Sequence, residues 1–599
     1  MDSTAIARHP KGTDARILLS SVFGPFAHDD QFGSRRLNPM ELYHNQVTRL
    51  QAGFSLRMFH RSFGLLMLQA NVEAPCTVLD FPTLDSFTRE IRQSPYDIVG
   101  IGAIGPNVEK VGTMCAIIRR ERPEATIVVG GHVAAREDLH QIIDADHIVR
   151  GDGIAWLRKF LGQDETQPVR HPAVLSGFGA RIMGINLPKR KGHTAAILIP
   201  SVGCPVGCNF CSTSALFGGK GNFVNFFETG DQFFSVMCQI EEKLGVNSFF
   251  VLDENFLLHR QRALRLLELM QAAEKSWALY VFSSARVIAS YTIEQLLGLG
   301  IGWVWMGLEG ENSRYRKLNG INTHDLVETL QSNGIRVLGS TIIGLEEHTP
   351  DNIGAAIDYA VSHDTVFHQF MLYTPNPGTP LHQQHRQAGT LLPESAMPPA
   401  DSHGQYRFNY RHPHIRDGME EQFLLEAFRR DFACNGPSLY RLIRTMLAGW
   451  RAHGRHPEGR IRKRYEWDAA PLRSAYAGAV WAMKKWYRGN ERMQKKLGQL
   501  LEEIYDTFGW KTRLIAPLFG RYALACLSRE EKRLKRGWTY EPVGILEKNA
   551  AAVALERAEG RMKPFRDFWA GAFGTGRQGC LRPDFLVCED RSRPDAMRW

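Results

Sequence analysis

The strongest constraint on this chain is a pair of successive trains of short, apolar, β-branched runs, each run separated from the next by a helix-length segment. In the first train RILLSSVFG, CTVLDF, DIVGIGAIG, TIVVGG and HIVRG lie between residues 14 and 165, with stretches such as NVEKVGTMCAIIRRERP between them. Strands that all run one way need crossovers of about this length, so the alternation predicts a parallel sheet with helices on both faces. The second train is TAAILIPSVG, SFFVLDENF, ALYVFSSARV, GWVWMGLEG, RVLGSTIIGLE and HQFMLYTPNPGTPL, within residues 194–385. Six strand–helix units predict an open, partial (β/α)6 barrel. The expected architecture is therefore α/β: a doubly wound domain over 14–165, a linker over 166–193, a partial barrel over 194–385, a mostly helical basic domain over 386–572 and a poorly ordered tail over 573–599.

In both kinds of fold, ligands gather beyond the carboxyl ends of the strands. In the first domain those ends are Ala103 to Asn107, Gly130–Gly131–His132 and Gly151–Asp152–Gly153. Gly100 to Gly105 reads GIGAIG, which matches a dinucleotide fingerprint, but its first two glycines fall inside a later strand and Pro106 follows the third. The fingerprint should follow the first strand and open a helix, so nucleotide binding is not expected here. In the barrel the strand ends carry Asp253 and Glu254, Ser284 and Arg286, Glu309, Gly344 and Tyr373.

The first barrel strand ends in SVGCPVGCNFCSTS, with Cys204, Cys208 and Cys211 spaced C-x3-C-x2-C. Ten cysteines in 599 residues is sparse, the N-terminus has no apolar signal core, and no run of about 18 apolar residues occurs. A reducing cytosol is the expected compartment, where clustered cysteines are ligands more often than disulfides. A structural zinc site wants four ligands. A zinc reading would need a distant fourth, such as His193 or Cys238. Three thiolates can instead hold three irons of a [4Fe–4S] cluster and leave the fourth iron open.

CPVGCNFC, set among six strands, resembles the radical S-adenosylmethionine (SAM) superfamily. The preceding domain, with IGAIGPN, VVGGHVA and VRGDG, resembles the cobalamin-binding domain of that superfamily's B12-dependent branch, as do TIIGLEEHTPD and YTPNPGTPL. The resemblance covers about residues 14–385. It implies a [4Fe–4S] cluster on Cys204, Cys208 and Cys211, SAM chelated by the open iron, and cobalamin in the first domain. It further implies Phe210 near adenine, Glu309 against SAM, Ser284 and Arg286 at its carboxylate, and Gly339 and Gly344 letting backbone approach adenine. Glu254 or its neighbour Asp253 would orient SAM or substrate and Tyr373 would face substrate; Glu254 and Tyr373 are the candidate catalytic residues. Ala103, Asn107, Gly130, Gly131, Gly151, Asp152 and Gly153 would line cobalamin, with His132 along its nucleotide tail. Many B12 proteins ligate cobalt through the histidine of D-x-H-x-x-G. FAHDDQFG gives His28 neither flanking residue, so no histidine of that motif is expected on cobalt.

The implied activity is methylation of an unactivated carbon, with methylcobalamin as donor and a 5′-deoxyadenosyl radical removing the hydrogen. The partners would be a small-molecule or lipid-like substrate and an external electron donor such as flavodoxin or ferredoxin. A non-methylating enzyme with the same cofactors, performing cyclisation or ring rearrangement, is the alternative. A methylthiotransferase would need three further N-terminal cysteines where only Cys76 and Cys115 occur, and a cobalamin sensor would need no open iron.

Net charge is +10, and residues 441–500 alone hold 15 Lys/Arg against 4 Asp/Glu, about +11. Basic residues mixed with Trp and Tyr suit a helical cap over the barrel mouth or a peripheral contact of 441–540 with the inner membrane face, and suit nucleic acid least.

Overall fold

The computed structural model describes residues 7–24, 31–32, 37, 41–177, 180–187, 194–310, 320–538, 542 and 544–560, and the backbone of 586–588. The chain forms two compact units, one of Met1–Gly33, Ser62–Pro172 and Glu541–Trp599, the other of Ser34–Arg61 and Ala173–Tyr540. His28 and His193 lie outside the described residues.

The first unit is built on five parallel strands in the order Cys76–Asp80, Ile17–Ser21, Ile98–Gly102, Thr126–Gly130 and His147–Ile148. The central strands are apolar on both faces, and all five residues of Ile17–Ser21 are buried. Both faces must therefore be covered by helices. Helix Val108–Glu121 does so through Val111, Met114, Cys115 and Ile118, all fully buried against Val99, Ile127 and Val129. Gly100 and Gly102 lie in a strand, and a side chain there would collide with Leu19 or Leu65. The first two glycines of GIGAIG thus lie within a later strand, as the sequence suggested.

Ile545–Lys548 adds an antiparallel strand beside Cys76–Asp80, and Leu586–Cys588 pairs with it in turn. Asn549 fastens this return. Its Oδ1 accepts from the Cys76 and Ala552 amides at 3.0 and 2.9 Å, and its Nδ2 donates to the Ala74 carbonyl at 2.9 Å. The helical domain therefore does not run to 572, and the tail contains at least one strand. A four-residue strand leaves too short a pattern to stand out beside long helices.

The second unit holds a six-stranded, all-parallel sheet in chain order: Ala196–Leu198, Ser248–Val251, Ala278–Phe282, Ile301–Gly307, Arg336–Ile343 and Phe367–Leu372. Every expected barrel strand is present. Alternate residues Phe249, Val251, Leu279, Val281, Val304, Met306 and Val337 face the surrounding helices and build the main core.

Two stretches assigned elsewhere from the sequence belong to this unit. Residues 41–61, read as part of the first domain, and 173–187, read as linker, form a three-stranded antiparallel sheet of Arg57–Met58, Ala180–Ile182 and Ile185–Leu187. Gln46 accepts from Gln369 of the last barrel strand at 3.1 Å, and Leu175 bridges Ala196 of the first.

Helices Ser438–His453 and Gly459–Ala469 pack at the amino ends of the barrel strands. Gly449 meets Gly334, the Tyr465 hydroxyl donates to the Asn333 carbonyl at 2.5 Å, and Asp468 pairs with Arg336. Arg460 and Arg464 are buried and donate to the last carbonyls of helix Ile293–Gly298, Gly298 at 2.5 Å and Leu297 at 2.7 Å. Arg441 is fully buried in a two-pronged pair with Asp431, at 3.0 and 2.7 Å. Part of the basic excess is therefore internal structure. The expected cap over the barrel mouth is a cap under its floor, because these arginines answer helix C-terminal carbonyls that lie there.

Candidate cofactor sites

Strand Ala196–Leu198 is followed by a short hairpin that pairs Ser201–Val202 with Val224–Asn225. The cysteine loop springs from it. Gly203 has φ of +88° and Gly207 +67°, and a side chain on either would strike Phe217 or the Lys220 backbone. Only glycine fits both the conformation and the space. Cys211 caps helix Ser212–Leu216, its Sγ accepting from the Ser214 amide at 3.5 Å, and the Ser214 hydroxyl donates to the Cys204 carbonyl at 2.9 Å. The Cys211 amide donates to the Cys208 carbonyl at 3.1 Å. One turn thus ties all three cysteines together.

The three thiols are half-buried, and none is in a disulfide. Burial pushes the Cys204 thiol up to about 11, with Cys211, Cys208 and Glu254 adding to the effect. Such thiols become thiolates when a cation binds, so the loop's chemistry fits a positively charged inorganic group. Among the described residues, no three His, Cys, Asp or Glu side chains converge on one ion position. Ligands to separate irons of a cluster do not need to converge in that way. Cys238, offered as a fourth zinc ligand, lies on helix Gly230–Leu244 and packs against the main core.

The acidic pair beyond the second strand separates into two roles. Asp253 is buried; its Oδ2 accepts from Arg262 and from the Ser201 hydroxyl, each at 2.6 Å, and its Oδ1 accepts from the Asn255 amide at 3.0 Å. Its hydrogen-bonding capacity is spent on structure. Glu254 has a buried Oε2 with no hydrogen-bond partner. Burial raises its carboxyl to about 8, with Asp253 adding and the Gly203 amide opposing. An unsatisfied buried carboxylate oxygen beside the cysteine loop fits a ligand that brings donors or positive charge.

Glu309 is buried just beyond the fourth strand, at φ of +54°. A non-glycine residue held there is strained, as residues at ligand sites often are. Ser284 caps the short turn after the third strand, its amide donating to Asn255 Oδ1 at 3.1 Å, while Arg286 is exposed. Phe210 packs edge-on to Tyr373, with ring centroids 6.2 Å apart.

Three strand-end residues have close packing neighbours. Tyr373 is 1% exposed. Its hydroxyl accepts from Asn209 Nδ2 at 3.2 Å, so it braces the cysteine loop. A side chain at Gly339 would meet Leu308 at 2.7 Å, and one at Gly344 would meet Phe408 at 2.3 Å. Both glycines answer packing neighbours, which their sequence could not reveal. Sequence reasoning also missed Asn255, whose Oδ1 accepts from both Ser283 and Ser284 and joins the second and third strand ends. Its place two residues after Asp253 was the available signal.

In the first unit the three expected loops share the carboxyl edge of the parallel sheet. Gly131 adopts φ of +83° with its α-carbon against the Ala103 carbonyl, where a β-carbon would sit 2.6 Å away. The Ala103 amide donates to the Gly130 carbonyl, and Asn107 is buried at the start of helix Val108–Glu121. His132 opens the next turn, and burial holds its imidazole below the usual range. Gly151 turns at φ of +80° with open space where a β-carbon would stand. Asp152 caps helix Gly153–Phe160 through the Ile154 and Ala155 amides at 2.9 and 3.1 Å, so its first duty is structural. The open, left-handed loops at a parallel-sheet edge fit a bulky ligand laid across them.

Family models agree with this layout: one described as B12 binding domain matches residues 53–160, and one described as Radical SAM superfamily matches 198–360. The chain therefore carries a B12-binding domain and a radical SAM domain, as an enzyme whose cofactors are cobalamin, a [4Fe–4S] cluster and SAM. It is 25% identical over 336 residues to an uncharacterized methyltransferase of Pyrococcus horikoshii, covering 50% of this chain and 71% of that one. It is 24% identical over 210 residues to the bacteriochlorophyllide d C-12(1)-methyltransferase of Chlorobaculum tepidum, covering 33% of this chain and 45% of that one. A solved structure of the radical SAM methyltransferase TsrM from Kitasatospora setae aligns with a TM-score of 0.47 at 16% identity, covering 76% of this chain and 99% of that one. No described helix is long and apolar enough to cross a membrane.

Proposed function

We propose that this chain is a C-methyltransferase that places a methyl group on an unactivated carbon. The observation that carries the reading is the pairing of an open-cornered cysteine loop with a B12-binding domain, in a chain similar to methyltransferases. When bound, the three cofactors supply a transferable methyl group and a means of removing a hydrogen atom from carbon. The chain's own residues hold and shape. Cys204, Cys208 and Cys211 bind three irons, and Ser214 and Tyr373 fix the loop that presents them. Glu254 and Glu309 supply buried carboxyl groups at the strand ends to orient SAM, and exposed Arg286 supplies a fork for a carboxylate. Reducing equivalents would come from a flavodoxin- or ferredoxin-like donor. The test uses anaerobically reconstituted protein with SAM and a reductant. S-adenosylhomocysteine formed together with a shift of the cobalamin spectrum is the expected result. 5′-Deoxyadenosine without S-adenosylhomocysteine would favour cyclisation or rearrangement instead.

A peripheral membrane contact is part of this reading. On helix Trp510–Leu534 the residues Trp510, Leu514, Leu518 and Tyr522 recur every fourth position and are 68, 63, 63 and 58% exposed. The opposite face buries Ala516, Ala523 and Leu527 in the helical core. Lys511, Arg513 and Arg521 lie on the same helix and match an anionic lipid surface, with the apolar stripe at the headgroup boundary. The protein should float with phosphatidylcholine–phosphatidylglycerol vesicles at low salt and be released as salt rises. Trp510→Ala/Leu514→Ser should weaken binding at least about tenfold; no flotation at low salt would remove the contact.

A further inference from the structure

The partial barrel holds a cavity of about 360 Å³ in the amino-terminal half of its lumen. Its walls follow from strand register. Phe250, Tyr280, Trp303 and Arg336 stand level across four neighbouring strands, and Trp305 and Leu338 form the next level up. These residues alternate with those that build the outer core, so they point into the lumen. Leu442, Met446, Trp467 and Asp468 of the floor helices line the other side.

We propose that this cavity is a binding site for a neutral, hydrocarbon-rich molecule, separate from the cysteine loop. Protein interiors leave few voids larger than a water molecule, whereas this one lies in the size range of small-molecule sites. Seven of its 22 described lining residues are aromatic. Among the described residues, the only charged ones that line it, Arg336 and Asp468, are paired with each other, so these walls offer no uncompensated charge to an ionic ligand. Phe282 stacks on Trp305 with centroids 5.0 Å apart, and Ser340, Gln369 and Gln46 form a polar layer nearer the strand ends, linked at 2.9 and 3.1 Å. The apolar space is thus divided from the end that carries the cysteines. Leu187, 43% exposed, gives the cavity an apolar rim.

The test is titration of the full-length, reconstituted protein with farnesol, read as a change in tryptophan emission, because Trp303, Trp305 and Trp467 stand in the wall. Saturable binding at one site per chain is expected. Farnesyl diphosphate should bind at least about tenfold more weakly, since the described walls offer its charge no partner. Ala195→Phe and Leu442→Trp, which fill the cavity from two sides, should each weaken farnesol binding at least about tenfold, while Trp510→Ala/Leu514→Ser leaves it unchanged. No saturable change, equal binding by the filled variants, or loss only in the Trp510 variant would overturn the proposal. If neither filled variant folds, the wild-type melting temperature decides: a rise with farnesol supports the site, and no rise overturns it. These readouts do not depend on methyl transfer.

Discussion

Cys208→Ala is expected to abolish SAM cleavage and the iron–sulfur absorption of the reconstituted protein, while leaving cobalamin binding intact. The thiolates are the only strong iron ligands the loop offers, and Gly203, Gly207 and Ser214 hold their spacing within a single turn. Loss of one leaves two irons anchored, and no other described Cys or His is grouped to replace it. Tyr373→Phe provides the graded comparison. It keeps the ring packed on Phe210 but deprives Asn209 Nδ2 of its acceptor. Tyr373 holds Asn209 rather than a ligand itself, so its loss should cost no more than the about 10–100-fold typical of partners one step beyond a metal ligand, and this variant should keep a reduced but measurable rate and most of its cluster. Activity in Cys208→Ala comparable to Tyr373→Phe would mean the loop is not the cluster site. Iron and sulfide content per chain, measured beside 5′-deoxyadenosine production, separates loss of the cluster from loss of turnover.

The parts of this architecture that were legible in the sequence are those with a repeating physical pattern. Six β-branched runs with helices between them could only make a parallel sheet, and all six strands are found where the runs stand. The cysteine loop was legible because three thiols at that spacing have few other uses. What escaped were features set by partners distant in sequence. Strand Ile545–Lys548 is defined by Cys76–Asp80, more than 450 residues earlier, and nothing in ILEK announces that pairing. Arg460 and Arg464 read as surface charge until the carbonyls of Leu297 and Gly298 appear beside them. The neighbours of Gly339 and Gly344, Leu308 and Phe408, are equally invisible in the letters around them. Asp253 and Glu254 were indistinguishable as adjacent letters. One step along the backbone turns the first toward Arg262 and leaves the second with an unsatisfied oxygen.

That separation of the two carboxylates leads to the largest stability effect. Arg262→Met should destabilise the barrel unit by about 3–5 kcal/mol, the cost of leaving one buried partner without its counter-charge. Arg262 and Asp253 have side chains 2 and 3% exposed and meet at 2.6 Å. The guanidinium also lies between the rings of Phe233 and Phe256, 5.7 and 5.5 Å from their centroids. Methionine keeps much of that volume and all of the apolar contact, so the loss reports charge rather than packing. The pair has a second consequence, because Asp253 Oδ2 also accepts from Ser201, three residues before Cys204. An Asp253 without its counter-charge loosens the base of the cysteine loop, so cluster occupancy should fall along with the denaturation midpoint. Arg262→Met/Asp253→Leu distinguishes the two effects. Replacing both members of a buried pair with apolar groups is often neutral or stabilising, so the double variant should recover most of the stability. It should not recover full cluster occupancy, because Ser201 still lacks its acceptor. Equal recovery of both quantities would show that the pair serves the fold alone; recovery of stability with a persistent cluster defect would show that Asp253 positions the loop through Ser201.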